Sequence, residues 1–310
     1  MKKPFSIAIH GGAGTIHKSH MSAKKEAAYK AVLTLALQQG YNTLSEGNSA
    51  LDAVELAVSA LENSPLFNAG KGSVFTHDGT HEMDASIMEG KGLKGGAIAG
   101  VNGIKNPISL ARKVMEVSEH VFLAGTGALD FAKENQFTTE SDDYFYDELR
   151  YQQWQEALEN DTVQLDHSPL KENKFGTVGA VALDQYGNVA AATSTGGMTN
   201  KKYGRIGDSP ILGSGNYANN NTCAVSCTGS GEFFIRGVVA YDVSCLIEYK
   251  GYTLAEACKE VVQNRLLKIG GDGGLIAVDP NGNTCLEFNT DGMYRGVKKS
   301  TGEEFIGIYK

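Results

Sequence analysis

The sequence predicts a mixed helix–sheet fold, α/β or α+β, with layers of helix covering a largely antiparallel sheet. Three observations carry this. Apolar residues recur at helical spacing through the N-terminal half, and runs of alternating apolar residues crowd the C-terminal half. Glycine is abundant: 38 of 310 residues against a usual ~7%, with only 6 prolines. That composition means tight turns and close backbone approach, not collagen or a Pro-rich linker. A hydrophobic fraction of 41% with 21% charged residues excludes a largely disordered chain. At roughly 150 residues per domain, the length suits two domains or one large one.

The elements follow in order. Phe5 to Ile9 is a short apolar run ending in His10-Gly11-Gly12-Ala13-Gly14, a strand entering a glycine loop. Tyr29, Val32, Leu33, Ala36 and Leu37 fall on one helical face. Leu51, Val54, Val58 and Leu61 repeat the pattern, opened by Ser49 and Asp52 at capping-box spacing. Residues 73–104 are strand-like and punctuated by glycine. Asn106-Pro107 opens a third helix through Met115, with proline in the first turn where its missing N–H costs nothing. Residues 125–134 suit a fourth.

Between Thr138 and Lys174 ten acids face three bases, so this stretch carries almost all of the net charge of −8. It lacks a sustained apolar face, although 144–158 can hold a helix, and it reads as a solvated connector. No basic patch points to nucleic acid. Beyond the connector, 177–183, 189–195, 222–228, 275–278 and 284–288 read as strands, and 232–249 and 254–267 as helices. The five cysteines, all in this half, form no disulfide framework; Cys223 and Cys227 read as buried strand residues. No run of about 18 apolar residues occurs and no long apolar stretch precedes His10, so neither membrane span nor signal peptide is expected, and the cytoplasm is the expected compartment.

Asp184-Gln185-Tyr186-Gly187-Asn188 separates two alternating runs as a three-residue hairpin loop, with Gly187 in the left-handed position. Asp184 then faces Asn188, Leu183 faces Val189, and Thr177 faces Thr195 on one face, about 5 Å apart at Cβ. A third threonine, Thr228, ends a strand that runs through Gly229-Ser230-Gly231 into a helix. There, free N–H groups and the helix dipole suit a phosphate or an oxyanion. No Gly-Lys-Ser/Thr follows, which argues against a nucleotide loop. Between these strands lies Arg205-Ile206-Gly207-Asp208. An arginine fork grips a carboxylate and an aspartate takes an ammonium, so the pair can read both charges of an amino-acid end.

Other patterns are set aside. Gly90-Lys91-Gly92-Leu93-Lys94-Gly95 matches G-x-G-x-x-G but leads into a glycine-rich strand, not a helix. His77 and His81, with Glu82 and Asp84 nearby, flank Gly79 in a turn and lack a helical metal spacing. No G-x-S-x-G is present.

Six stretches together resemble one family. They are Ile9-His10-Gly11-Gly12-Ala13-Gly14, Pro65-Leu66-Phe67-Asn68-Ala69-Gly70, Gly176 to Ala182, Thr193-Ser194-Thr195-Gly196-Gly197, Gly204 to Pro210, and Ser226 to Glu232. The chain is similar over nearly its whole length to the plant-type asparaginases, or isoaspartyl peptidases, among the N-terminal nucleophile hydrolases. It resembles the bacterial isoaspartyl dipeptidases more than the secreted, lysosomal-type glycosylasparaginases.

The resemblance implies an α+β fold, a four-layer αββα sandwich of one domain. It implies a precursor cut between Gly176 and Thr177 into residues 1–176 and 177–310, with 138–174 a flexible acidic end of the first piece. Two such heterodimers would pair. Thr177 would be the nucleophile and its freed α-amine the base; Thr195 would orient the hydroxyl, and Thr228 with the Gly229 N–H would line the oxyanion hole. Arg205 would hold the substrate α-carboxylate, Asp208 and the Gly231 backbone its α-amine, and Asn68 would lie near the nucleophile. The activity implied is hydrolysis of β-aspartyl dipeptides and asparagine, releasing aspartate. A glycosylasparaginase-like amidohydrolase and an uncleaved amino-acid-binding protein remain alternatives. No catalytic cofactor is implied. A structural sodium is, on backbone carbonyls of Leu61, Glu62, Ser64, Phe67, Ala69 and Lys71, where Lys71 replaces the family's usual apolar residue.

Overall fold

The computed structural model describes residues 3–163 and 176–310. Its strands are β1 (Ser6–Gly14), β2 (Met83–Glu89), β3 (Gly95–Val101), β4 (Phe122–Ala124), β5 (Val178–Leu183), β6 (Val189–Thr195), β7 (Asn216–Ala218), β8 (Ala224–Gly229), β9 (Gly273–Val278), β10 (Thr284–Phe288), β11 (Gly292–Lys299) and β12 (Glu304–Tyr309). They form an eight-stranded sheet in the order β12-β11-β1-β5-β6-β2-β3-β4 and a four-stranded sheet in the order β10-β9-β8-β7. All pairings are antiparallel except that of β3 with β4. The mixed α+β class is therefore as expected.

Strand alternation sorts the core. In β5, Val178, Ala180 and Ala182 pack with the N-terminal helices, while Val181 and Leu183 face the second sheet. β8 and β9 repeat this: Val225, Cys227, Leu275 and Ala277 pack with the C-terminal helices, whereas Ala224, Ile276 and Val278 share the space between the sheets. Residues two apart share a face. Thr177 and Thr195 thus project to the inter-sheet side with Val181 and Ala191, and Thr228 projects there from the opposite sheet.

The helices are α1 (Ala23–Ser45), α2 (Ala50–Glu62), α3 (Pro107–Val117), α4 (Gly125–Glu134), α5 (Asp142–Phe145), α6 (Glu148–Glu159), α7 (Gly231–Gly237), α8 (Val239–Lys250) and α9 (Leu254–Lys259), the last continued by a π-helical stretch, Glu260–Leu266. α2 starts at the expected capping box, with Ser49 and Asp52 each accepting from the other's backbone N–H. Asp184, in the β5–β6 turn, adds a second cap by accepting from Ala50 N at 3.1 Å, so hairpin and helix start are one unit. α3 carries Pro107 at its first turn.

The structure differs from expectation in three places. The helix expected over 232–249 breaks at Val238, which adopts a left-handed φ of 47°. The break frees the first amides of α8, and Ala240 and Tyr241 donate to the Ser214 and Gly213 carbonyls. β11 and β12, which no alternating run announced, pair beside β1 and complete the large sheet. Within the stretch read as a connector, 138–163 carries α5 and α6. Phe145 and Arg150 there are buried, and Trp154 stacks on Phe75 at 5.4 Å between centroids, so scattered aromatics supply the face that helical periodicity did not show. The remainder of the connector, 164–175, lies outside the described residues.

The Gly90–Gly95 stretch is the turn between β2 and β3. The large sheet draws on both sides of the Gly176–Thr177 bond: β1 lies between β11 and β5, and β2 lies beside β6. Among the described residues no helix is long and apolar enough to cross a membrane.

Candidate active site

The β5–β6 hairpin has the register read from its turn. Leu183 pairs with Val189 and Val178 with Ser194, and Gly187 takes φ 87°. One step beyond the ladder, Thr177 Oγ1 donates to Thr195 Oγ1 at 3.1 Å. Thr195 is buried and Thr177 partly exposed. The turn after β6 holds this pair: Gly197 N donates to Thr195 Oγ1 at 3.0 Å, and Asn68 Nδ2 donates to the Gly197 carbonyl at 2.7 Å. The Asn68 Oδ1 accepts from Val74 N. Asn68 thus grips the turn beside Thr195. Lys201 packs under the same turn and donates to the Glu82 carbonyl at 2.8 Å. Burial holds its ammonium below the usual lysine range, and Asp84 opposes that.

On the other sheet, Thr228 is buried and its Oγ1 makes no hydrogen bond among the described residues. A Cβ on Gly176 would lie 3.3 Å from that Oγ1, so the residue before Thr177 rests against Thr228. It also rests on Gly12, whose φ of 109° suits glycine and whose own Cβ would lie 2.5 Å from the Gly176 Cα. β1 is bulged here, between His10 and Ala13 in its pairing with β11. Gly229, at φ 154°, is packed against Asp272 and Gly273.

Arg205, Asp208 and Gly231 also converge: a Cβ on Gly231 would be 2.9 Å from Asp208 Oδ1 and 3.0 Å from Arg205 Nη2. The Arg205 fork is engaged by Glu232, Nε to Oε1 and Nη2 to Oε2, both at 2.9 Å. Sequence reading did not anticipate this partner, although Glu232 closes one of the motifs. Asp208 is buried, its Oδ2 lacks a hydrogen bond among the described residues, and burial pushes its carboxyl up to about 7 against the pull of Arg205. Two orphaned polar atoms, Thr228 Oγ1 and Asp208 Oδ2, therefore stand in one region. They share this state with buried polar atoms elsewhere, such as Ser6 Oγ and Asn216 Oδ1, but here they stand beside the threonine pair and the Arg205 loop.

The expected anion site at the helix N-terminus is short and already lined with acids. α7 has seven residues, Ser230 at its N-cap donates to Asp272, and Glu232 sits in the first turn. His77 and His81 are engaged elsewhere, with Asn200 Oδ1 at 2.9 Å and the Ser73 carbonyl at 3.0 Å. Among the described residues no three His, Cys, Asp or Glu side chains form a metal cluster. The cysteines are free, and burial pushes the Cys223 thiol up to about 12.

The loop after α2 has a different donor set. A Cβ on Gly72 would run into the Phe67 carbonyl and lie 2.7 Å from that of Pro65; one on Gly70 would lie 2.5 Å from that of Glu62. The glycines leave a cradle of neutral oxygens. The Phe67 and Ala69 carbonyls accept the N–H groups of Ala69 and Gly72, and each has a second lone pair. All-oxygen, uncharged donors fit a hard monovalent cation.

The paired sheets, the threonine pair at the hairpin's end and the charged loop opposite define a class: residues 2–308 match the family described as Asparaginase, and the chain belongs to it. Individual relatives agree. The chain is 53% identical over 307 residues to the isoaspartyl peptidase of Escherichia coli K12, covering 98% of this chain and 96% of that one. It is 43% identical to the plant-type L-asparaginase of Pyrococcus furiosus, over 98% and 99% of the two chains. To the isoaspartyl peptidase/L-asparaginase of Xenopus laevis it is 42% identical, over 98% and 94%.

Proposed function

We propose that the protein is a self-cleaving threonine hydrolase that releases aspartate from β-aspartyl dipeptides and from asparagine. The observation that carries this is the Thr177–Thr195 hydrogen bond, with the preceding Gly176 seated against Thr228. Full-length relatives named isoaspartyl peptidase or L-asparaginase support it.

The chemistry follows from those positions. A threonine hydroxyl is a weak nucleophile and needs a base. In the precursor, the Thr177 hydroxyl attacks the Gly176 carbonyl carbon, the C–N bond breaks to leave an ester, and water releases the Gly176 carboxylate. The new α-amine of Thr177, with a reference pKa of ~7.7–8.0, then accepts the hydroxyl proton in turnover. Thr195 orients the hydroxyl. The attacked side-chain carbonyl becomes an oxyanion facing Thr228 Oγ1 and the Gly229 N–H. Ammonia or a peptide amine leaves, and water frees aspartate from the Thr177 ester. Arg205 receives the α-carboxylate once Glu232 yields the fork, and Asp208 with the Gly231 backbone receives the ammonium. A β-linked aspartyl residue keeps both α-groups free, which is why this site selects it.

The four-layer αββα sandwich belongs to the same reading, supported by the core between the two sheets and a helical core outside each. So do a dimer of heterodimers, a cytoplasmic location and a structural sodium on the carbonyls of Leu61, Glu62, Ser64, Phe67, Ala69 and Lys71. The deciding experiment is the intact mass of denatured protein, fresh and after incubation. Two species meeting at Gly176/Thr177 are expected. A folded protein that stays one species and binds aspartate without turnover would overturn the hydrolase in favour of an amino-acid-binding protein.

A further inference from the structure

Gly179 stands inside β5, where glycine weakens a strand and offers nothing to pack. A Cβ there would collide with Ser226 Oγ and His10 Nε2. Its absence lets those two atoms meet over β5 at 2.9 Å. They belong to a longer buried chain. His10 Nδ1 lies 3.0 Å from the Thr177 carbonyl oxygen, Ser226 Oγ lies 2.7 Å from Thr193 Oγ1, and Asn216 Nδ2 lies 3.3 Å from Thr193 Oγ1. All four side chains are fully buried.

The carbonyl at one end constrains the protons of the histidine. A carbonyl oxygen only accepts, so Nδ1 carries hydrogen. Burial drives the imidazole down to about 3, so the ring is neutral and Nε2 is a bare acceptor facing the Ser226 hydroxyl. Ser226 Oγ also lies 3.2 Å from the Ala192 carbonyl and Thr193 Oγ1 lies 3.2 Å from that of Gly215, so these carbonyls compete for the two hydroxyl hydrogens, while Asn216 Nδ2 donates to Thr193 Oγ1.

The place where this chain ends is the notable one. The β1–β5 ladder stops at His10 paired with Gly179, because β1 bulges at the next glycines. The Thr177 carbonyl lies two residues past that last pair, and the His10 side chain supplies its partner. We infer that His10 is a positioning residue for Thr177, holding its carbonyl and thereby the direction of its hydroxyl and amide nitrogen in both self-cleavage and turnover. The inference rests on Thr177 being the nucleophile.

The test compares wild type with two variants. H10N keeps a donor at the Nδ1 position, whereas H10Q keeps only the contact to Ser226. A misaligned nucleophile costs about 100-fold, so H10Q should mature and turn over about 100-fold more slowly, KM staying within about threefold. H10N should recover most of the rate. Equal losses in both variants, tracking their melting temperatures, would reduce His10 to a structural part and overturn the inference. Should H10Q not fold, 15N NMR of wild type decides. A neutral, Nδ1-protonated ring that does not titrate from pH 5 to 8 supports the inference, and a ring that titrates near 6.5 or carries its proton on Nε2 overturns it. A folded wild type that never cuts would fell the proposed function and this inference together. A wild type that cuts while H10Q cuts equally fast would fell only the role of His10.

Discussion

Arg205 and Glu232 share two parallel hydrogen bonds of 2.9 Å, in the geometry with which an arginine fork takes a free carboxylate. On the proposed function, the substrate α-carboxylate would compete with a carboxylate of the chain itself. Glu232 is half exposed, so the competing pair is worth about 1 kcal/mol, or roughly fivefold. In E232A the KM for β-aspartyl dipeptide should fall by about that factor with kcat unchanged. Arg205→Ala should move KM the opposite way. A raised KM in E232A would mean that Glu232 aids binding.

Thr177 and Thr195 make the second prediction. Thr177→Ala should abolish both self-cleavage and turnover. Thr195→Val keeps the branched shape and removes only the hydroxyl, and it should lower kcat about 100-fold while the protein folds normally. Steady-state kinetics with gel analysis of maturation checks both.

Asp208 sets a pH dependence. Its carboxyl, held up at about 7 by burial, is neutral below that pH and cannot pair with an ammonium. KM should therefore rise as pH falls through 7, by up to about tenfold per unit. D208N should show a high KM without this trend. The stability sign is the reverse. A carboxyl raised in the fold contributes stability in full below its ordinary value near 3.8 and loses it as pH rises through about 7, so D208N should flatten that decline in urea titrations.

Asp184 is a purely structural test. It is buried, accepts from Tyr186 N and Asn188 N in its own turn, and caps α2 at Ala50 N. Asp184→Ala leaves three buried or half-buried amides unpaired and should cost about 3 kcal/mol of unfolding free energy. Chemical denaturation measures it; a loss below about 1 kcal/mol would contradict the cap.

The carbonyl cradle at Gly70 and Gly72 gives a fifth expectation. The melting temperature should be higher in sodium chloride than in choline chloride at equal ionic strength, because an ion bound only by the folded form stabilises it by mass action. Equal melting curves would exclude the cation.

Much of the site was legible because its parts are local. The Thr177–Thr195 pair follows from a five-residue turn and a period of two, and α2 from Ser49 and Asp52. What could not be read depends on distant partners. Val238 breaks a helix because the Gly213 and Ser214 carbonyls take the amides that follow it. In β11, Arg295 interrupts the face of Met293 and Val297, and Gly296 and Lys298 interrupt that of Tyr294, so neither face reads as an apolar run; β11 and β12 pair with β1 and with each other. Glu232 reaches Arg205 across 27 residues, and His10 reaches Thr177 across 167. Gly179 was the one available signal of that last contact, a glycine inside an apolar strand.

The large sheet interleaves strands from both sides of the proposed cleavage site. Before the cut, folding is an event within one chain. Under the proposed cut, β1 and β2 would belong to one polypeptide and their neighbours β11, β5 and β6 to another, and unfolding would yield two separate chains. Their reunion is a second-order reaction whose yield depends on dilution. The mature enzyme would then last as long as its unfolding barrier holds, because the covalent link that made the first folding concentration-independent is gone.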